Sequence, residues 1–130
     1  MSSTYEINPA QRLVIFHISG VLTPPVMAAT REQLKSDPAF DPRFDQINDV
    51  RAVSSVAMTA DQVRLSAAQS VFDPKTRIAI LATRDNPATF GMVRMYELLQ
   101  TSGDTPDRVG IFNTMEAAIA WLSQPRQPAA

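Results

Sequence analysis

The sequence predicts a single α/β domain: a mostly parallel five-stranded sheet with an N-terminal antiparallel hairpin and four helices. The chain has 130 residues, the size of one ordinary domain. Hydrophobic residues make up 45 % and charged residues 19 %, which is typical of a globular protein with a packed core. Strand-like and helix-like segments alternate along the chain, which indicates right-handed crossovers between parallel strands. We assign residues 1–124 to the domain and residues 125–130, which include two prolines, to a flexible tail.

Two strands and a helix are predicted in the N-terminal third. Residues 5–7 and 12–19 have the composition of strands and are separated by a short turn. In the second strand both faces are largely apolar, so we expect both to be covered, and we expect Gly20 to end it. Thr23 precedes two prolines and therefore matches the N-cap of a helix that runs to about Ser36.

The middle of the chain predicts a strand, a helix and a second strand. The first strand spans residues 45–53. Thr59 and Gln62 have the spacing of a capping box, so we expect a helix from Thr59 to about Phe72. Residues 75–83 form the clearest core strand, because the central residues are apolar on both faces, as in a parallel sheet covered on both sides.

The last third predicts a helix, a strand and a helix. The first helix begins at Asn86 and ends near Gly103, and residues 108–112 form the strand. Asn113 or Thr114 caps the final helix, whose apolar stripe consists of Met115, Ala118, Ile119 and Leu122. Trp121 lies off this stripe. It buries an edge of the sheet or joins a dimer surface, and the first role is the more common.

Composition excludes several classes of partner and site. The 12 basic and 13 acidic residues are dispersed, which argues against nucleic acid and anionic membranes as primary partners. With no cysteine and one histidine, thiolate chemistry and multi-histidine metal centres are excluded, and we expect no cofactor or metal. No apolar run approaches the roughly 20 residues that a membrane span needs. Residues 1–6 lack the features of a secretory signal, so we expect a cytoplasmic protein.

The element order and three segments resemble the SpoIIAA-like (STAS-like) domains, which are related to anti-sigma factor antagonists. The segments are residues 13–20 (LVIFHISG) before a Thr-capped helix, residues 49–53 (DVRAV) and residues 90–97 (FGMVRMYE). The third is similar to a signature of small bacterial SpoIIAA-like proteins of unassigned role. The resemblance implies a SpoIIAA-like fold and a bacterial, non-enzymatic regulatory module that acts through protein binding.

Anti-sigma antagonists are switched by phosphorylation of a serine, so the resemblance also implies a candidate phosphosite. The family's Asp-Ser pair before the second crossover helix is replaced here by Val56-Ala57-Met58-Thr59. Thr59 is the phosphorylation candidate, because a phosphate there would add negative charge beside a helix N-terminus. The alternative, which we favour, is that Thr59 is an ordinary helix cap.

The third helix carries the predicted partner-binding surface. At about 100° per residue, one arc of this helix combines apolar side chains with an Arg and a Glu. That mixture is typical of interfaces, so we expect this arc to contact a protein partner or a second copy of the chain. In the alternative the apolar members pack under loops and the charged pair is solvated. The arc consists of Phe90, Val93, Arg94, Glu97 and Leu98, while Met92, Met95, Tyr96 and Leu99 are expected to face the sheet.

Two further hypotheses come from other functional classes. The first is a sensor of a small ligand, such as a lipid or an anion, at the carboxyl ends of the parallel strands, where α/β proteins bind ligands. Its candidate residues are Ser54, Ser55, Thr83, Arg84 and Asn86. The second is an enzyme based on His17, Asp45 or Asp49. We favour structural roles for these three side chains, with Asp49 at a strand end holding the turn, and expect no catalytic residue.

Overall fold

The structure is a computed structural model that describes residues 2–100 and 107–124. Within these ranges, strands and helices follow the predicted order β-β-α-β-α-β-α-β-α. The strands are β1 (Ser2–Asn8), β2 (Leu13–Leu22), β3 (Asp45–Val56), β4 (Ile78–Leu81) and β5 (Val109–Phe112). The helices are α1 (Pro24–Lys35), α2 (Ala60–Ala68), α3 (Pro87–Gln100) and α4 (Met115–Leu122).

The five strands form one sheet in the order β1-β2-β3-β4-β5. β1 pairs with β2 antiparallel, and each later pair is parallel. Because the parallel strands follow one another in sequence, right-handed crossovers put α1, α2 and α3 on one face. α4 follows the last strand and packs on the opposite face through Ala118. The predicted fold class is therefore confirmed.

Each face of the sheet carries its own apolar core. The face toward α1 and α3 holds Val14, Phe16 and Ile18 of β2, together with Leu34 and Phe72. The face toward α4 holds the intervening β2 residues Leu13 and Ile15, with Ile47, Ala79 and Leu81. All four residues of β4 are buried. The two-sided apolar pattern thus reflects helices on both faces.

β2 and β3 continue beyond the end of β4. β4 ends with Leu81 opposite Asp49, whereas β2 and β3 remain paired as far as Leu22 and Val56. The prediction that Gly20 ends β2 was wrong. Gly20 has a φ of 76° beside a register shift, so it marks an irregularity in the pairing of β2 with β3.

Several predicted boundaries need correction. α2 ends at Ala68, and Phe72 is buried in the core beyond the helix. β3 is longer than predicted because its end pairs with β2, and β4 is shorter because only four residues pair on both sides. The predicted end of α3 at Gly103 and the proposed tail at 125–130 lie outside the described residues.

Candidate functional site

The orientation of α3 differs from the prediction. Val93 is only 8 % exposed and belongs to the core, and Phe90 is half-buried with the Arg84 guanidinium 5.8 Å from its ring centroid. The outward placement of these two side chains was wrong, as was the inward placement of Leu99, which is 38 % exposed. The inward face consists of Thr89, Val93, Tyr96 and Gln100 at four- and three-residue spacing, with Met92 beside it.

Two residues of the predicted α3 arc are exposed, and a third, Glu97, is partly buried. Leu98 is 70 % exposed, and Arg94 is exposed as well. Arg94 Nη1 lies 2.6 Å from Glu97 Oε1, so the two side chains form the predicted ion pair between residues three apart on the helix. The exposed surface of α3 therefore includes Leu98 and Leu99 beside Arg94, and it differs from the predicted five-residue arc.

The residues predicted at the strand carboxyl ends line neither of the two cavities described below. Ser54, Ser55 and Arg84 are exposed, and Thr83 is half-buried. Asn86 Nδ2 donates to the Ser54 carbonyl oxygen at 2.9 Å, and Asn86 Oδ1 accepts from the Thr89 N–H at 3.3 Å. Asn86 thus ties β3 to the first turn of α3, which is a structural role.

Thr59 caps α2 as predicted. Its Oγ1 accepts from the Gln62 N–H at 3.2 Å, and the Gln62 side chain accepts from the Thr59 N–H at 2.9 Å. This reciprocal pair is a capping box and satisfies two N–H groups at the helix start. Phosphorylation of Thr59 stays a prediction.

The three candidates for an enzyme site have separate partners. His17 is exposed, with its Nε2 3.4 Å from Glu6 Oε1, and Asp45 Oδ1 accepts from the Arg77 N–H at 2.7 Å. Asp49 lies within β3 rather than at its end, and the Arg51 guanidinium donates to both of its oxygens at 2.9 Å. These hydrogen bonds from Arg51 lower the pKa of Asp49. Across residues 2–100 and 107–124 no group of three or more His, Cys, Asp or Glu side chains has an arrangement suited to a metal ion.

A cavity of about 100 Å³ lies between the sheet and its three crossover helices. It is bounded on one side by residues of β2, β3 and β4, and on the other by α1, α2, α3 and the segment before α2. Its lining is mainly aliphatic side chains and methionines, with a few polar groups. The lining residues are Ile18, Leu22, Met27, Asn48, Val50, Val53, Val56, Met58, Val63, Ser66, Ile80, Thr89, Met92, Val93 and Tyr96.

A second cavity, of about 70 Å³, adjoins the first. The two share part of their lining: Ile18, Met27, Asn48, Ser66 and Tyr96. The second cavity has the more polar lining, because it adds three hydroxyl side chains, an amide and a guanidinium. These additional polar groups belong to Ser3, Thr30, Ser70, Gln46 and Arg31.

Each cavity is lined by one residue that has a buried polar atom without a hydrogen-bond partner among the described residues. Thr89 is 6 % exposed and lines the first cavity, and no described residue hydrogen-bonds to its Oγ1. Gln46 is 4 % exposed and lines the second, and no described residue hydrogen-bonds to its Nε2. Asn48 Nδ2 donates to Gln46 Oε1 at 2.9 Å, which leaves the Gln46 NH₂ as a free donor. An unpartnered buried group costs about 1–3 kcal/mol.

Tyr96 and Arg31 stand at the polar part of this site. Tyr96 lines both cavities, and its burial raises the pKa of its hydroxyl, although the nearby Arg108 and Arg31 charges oppose the shift. The Arg31 guanidinium donates to Ser66 Oγ at 3.1 Å and to Gln69 Oε1 at 3.0 Å. Among the residues that the structure describes, no carboxylate forms an ion pair with Arg31.

Sequence reasoning missed this site, although β3 carries a signal of it. Gln46 and Asn48 alternate with buried residues in a core strand, so both amides face the same side as Val50. Polar side chains on a buried strand face are unusual and need partners. The pattern alone does not give the cavity, because its other walls come from three helices elsewhere in the chain.

The chain matches no protein-family model and no curated protein. Among solved structures it is similar to an uncharacterized protein of the DUF3478 family from Shewanella loihica PV-4, whose fold is described as SpoIIAA-like. The two sequences are 19 % identical, the match covers 93 % of this chain and 92 % of the other, and the TM-score is 0.57. The chain has a SpoIIAA-like fold. That likeness confirms the fold implied by the sequence resemblance and assigns no activity.

The SpoIIAA-like domain carries no membrane-spanning candidate in the ranges described. None of its helices there combines the length and the apolar character that crossing a bilayer requires.

Proposed function

We propose that this SpoIIAA-like protein is a non-enzymatic binding module that takes a small molecule into the two adjoining cavities. The observation that carries the proposal is the pair of unpartnered buried polar atoms, Thr89 Oγ1 and Gln46 Nε2, in a mainly apolar lining. An apolar lining with a few placed polar groups is typical of ligand sites. This corresponds to the small-ligand hypothesis of the sequence, but the proposed site lies between the sheet and its helices rather than among the loops at the carboxyl ends of the strands.

The size of the site favours a small ligand. An engineered apolar cavity of about 150 Å³ binds benzene, and the two cavities together exceed that volume. A single ring or a chain of about six carbons is therefore the scale of ligand that we expect. A phospholipid is too large for the cavities in this conformation.

The chemistry of the lining supports binding rather than catalysis. The side chains around the two cavities provide hydroxyls, amides, thioethers and one guanidinium, and no carboxylate or imidazole lines either cavity. His17, Asp45 and Asp49, the candidates for acid or base catalysis, have other partners and line neither cavity. We therefore keep the prediction of a non-enzymatic role as part of the proposal.

The test is a screen by two-dimensional NMR with alcohols, carboxylic acids and amines of about six carbons. We expect binders that shift the amide signals of cavity-lining residues. Val50→Phe fills the first cavity and should weaken their binding by about tenfold or more. Leu98→Phe adds the same ring on the surface of α3 and should leave binding unchanged. Val50→Leu replaces the larger variant if circular dichroism shows that Val50→Phe is unfolded. An absence of binders, or equal binding by a folded cavity-filled variant, would contradict the proposal.

A second candidate function is protein binding through α3, in a partner complex or a homodimer. It is favoured by Leu98, which is 70 % exposed beside the Arg94–Glu97 ion pair. Leu99 beside it is also exposed, and exposed apolar side chains next to a charged group are typical of an interface. A regulatory role in the cytoplasm is part of this candidate. It is compatible with the first, because Leu98 lies outside both cavities.

A further inference from the structure

We propose that the ligand of the two cavities is a small carboxylic acid, with its carboxylate in the second cavity and its apolar body in the first. This inference rests on the proposed small-molecule-binding function and adds the chemical class of the ligand. It follows from the unequal distribution of hydrogen-bond donors and charge between the two linings.

The second cavity suits a negatively charged acceptor. Gln46 Nε2 is a buried donor without a described partner, and Arg31 provides a positive charge in the same lining. Each Arg31 hydrogen bond ends on a neutral side chain, Ser66 or Gln69, so no described carboxylate neutralises this arginine. A carboxylate has two oxygens and only accepts hydrogen bonds when ionised, which matches an amide NH₂ and a guanidinium.

A positive charge that lacks an acidic neighbour also selects against other ligands. An amine would meet Arg31 with no carboxylate in either lining to compensate, so like charges would be brought together in a partly buried site. A neutral alcohol could satisfy Gln46 but would gain no charge-assisted hydrogen bond. The expected order of affinity is therefore acid, alcohol, amine.

The first cavity suits the apolar part of the same molecule. Val50, Val53, Val56 and Val63 supply much of its lining, and Met92 closes one side. Since the two cavities share Ile18, Met27, Asn48, Ser66 and Tyr96, a ligand that spans them passes between Tyr96 and β3. A chain of about six carbons, or one ring, is the body that this volume admits.

The experiment measures the binding of hexanoate, hexan-1-ol and hexylamine at pH 7 by NMR titration. Wild-type protein should bind hexanoate about tenfold more tightly than hexan-1-ol, and hexylamine more weakly than either. Arg31→Gln should lower hexanoate affinity about tenfold and leave hexan-1-ol affinity unchanged. Arg31→Lys keeps the charge and should keep the preference for the acid. Arg64→Gln is the matched control, because Arg64 is an exposed arginine of α2 that pairs with Asp61 outside both cavities.

The outcomes separate this inference from the proposed function. If hexan-1-ol binds as tightly as hexanoate, or if folded Arg31→Gln keeps full acid affinity, the carboxylate assignment is overturned while the small-molecule site stands. If none of the three probes binds and the wider screen also finds no binder, the proposed function fails as well. A loss of acid preference in Arg31→Gln but not in Arg64→Gln supports the assignment. Thermal denaturation verifies that each variant is folded.

Discussion

At the scale of single residues, two threonines with similar burial have opposite surroundings. Thr30 of α1 is buried, and its Oγ1 lies 2.9 Å from both the Val26 carbonyl oxygen and Ser3 Oγ. Thr89 of α3 is equally buried, but no described residue contacts its hydroxyl through a hydrogen bond. Part of this difference arises within α1, because the Val26 carbonyl lies one turn before Thr30. The rest depends on Ser3 of β1, whose position beside α1 the sequence alone does not give.

This contrast predicts opposite effects of the same substitution. Thr89→Val removes an unpartnered hydroxyl and should raise the free energy of unfolding by about 1 kcal/mol. Thr30→Val removes a paired hydroxyl and should lower it by about 1 kcal/mol. Urea denaturation of the two variants and the wild type measures both values. A loss of stability in Thr89→Val would mean that its hydroxyl has a partner in the free protein, which contradicts an unsatisfied site.

At the scale of elements, the attachment of α4 depends on one arginine. The Arg77 guanidinium donates to the Trp121, Leu122 and Gln124 carbonyl oxygens at 3.1, 2.9 and 2.6 Å. It also lies 5.5 Å from the centroid of the Trp121 ring, and the centroids of the Trp121 and Phe112 rings are 5.4 Å apart. The half-buried Trp121 therefore covers part of the sheet, in agreement with the more common of its two predicted roles. Arg77 satisfies carbonyl groups at the end of α4 and places positive charge at the negative end of the helix dipole.

Loss of Arg77 should therefore weaken the α4 face of the domain. We expect Arg77→Met to lower the free energy of unfolding by about 2–3 kcal/mol. Arg77→Lys keeps the positive charge but not the forked guanidinium, so it should lose only part of that stability. Arg84→Met is the matched control, because Arg84 is exposed over the Phe90 ring and should cost at most about 1 kcal/mol. Urea denaturation followed by fluorescence of Trp121, the single tryptophan, measures these changes. Equal losses in the two methionine variants would be inconsistent with capping by Arg77.

At the scale of the whole molecule, the sheet order decides which surfaces exist. Three crossovers in the same direction put α1, α2 and α3 together on one face, and these helices enclose the cavities. α4 covers part of the other face, over the apolar ends of β2, β3 and β4. Farther along β2 and β3 on that face lie His17, Asp49 and Arg51. Their side chains contact polar groups rather than a helix. The proposed ligand site and the proposed interface thus lie on opposite sides of α3, with Tyr96 toward the cavities and Leu98 toward the surface.

The second candidate function makes a prediction at this scale. It predicts that wild-type protein is a dimer by light scattering after size exclusion, and that Leu98→Ser gives the 14.3 kDa mass of one chain. Val21→Ser removes another exposed apolar side chain, in β2, and should leave the dimer intact. A monomeric wild type, or a dimer that survives Leu98→Ser, would exclude self-association through α3. Ligand binding in the cavities would be unaffected by either result.

The sequence by itself determined the class of fold, the order of the elements and the local signals at their ends. Alternation of strands with helices, the apolar residues of β4 and the Thr59–Gln62 pair are encoded within short segments, so they are visible without tertiary contacts. Tertiary structure alone decided the orientation of α3 and the continuation of β2 past Gly20. Apolar residues surround most of α3, so periodicity does not fix which side faces the sheet.

The candidate site was also decided by tertiary structure. Gln46 and Thr89 are distant in sequence, and each is an ordinary polar residue when considered alone. Their importance arises because three helices and four strands pack around a space that their side chains do not fill, and each residue has a buried polar atom without a partner among the described residues. Local patterns record which residues are buried, whereas the shape of a cavity depends on how distant surfaces fit together.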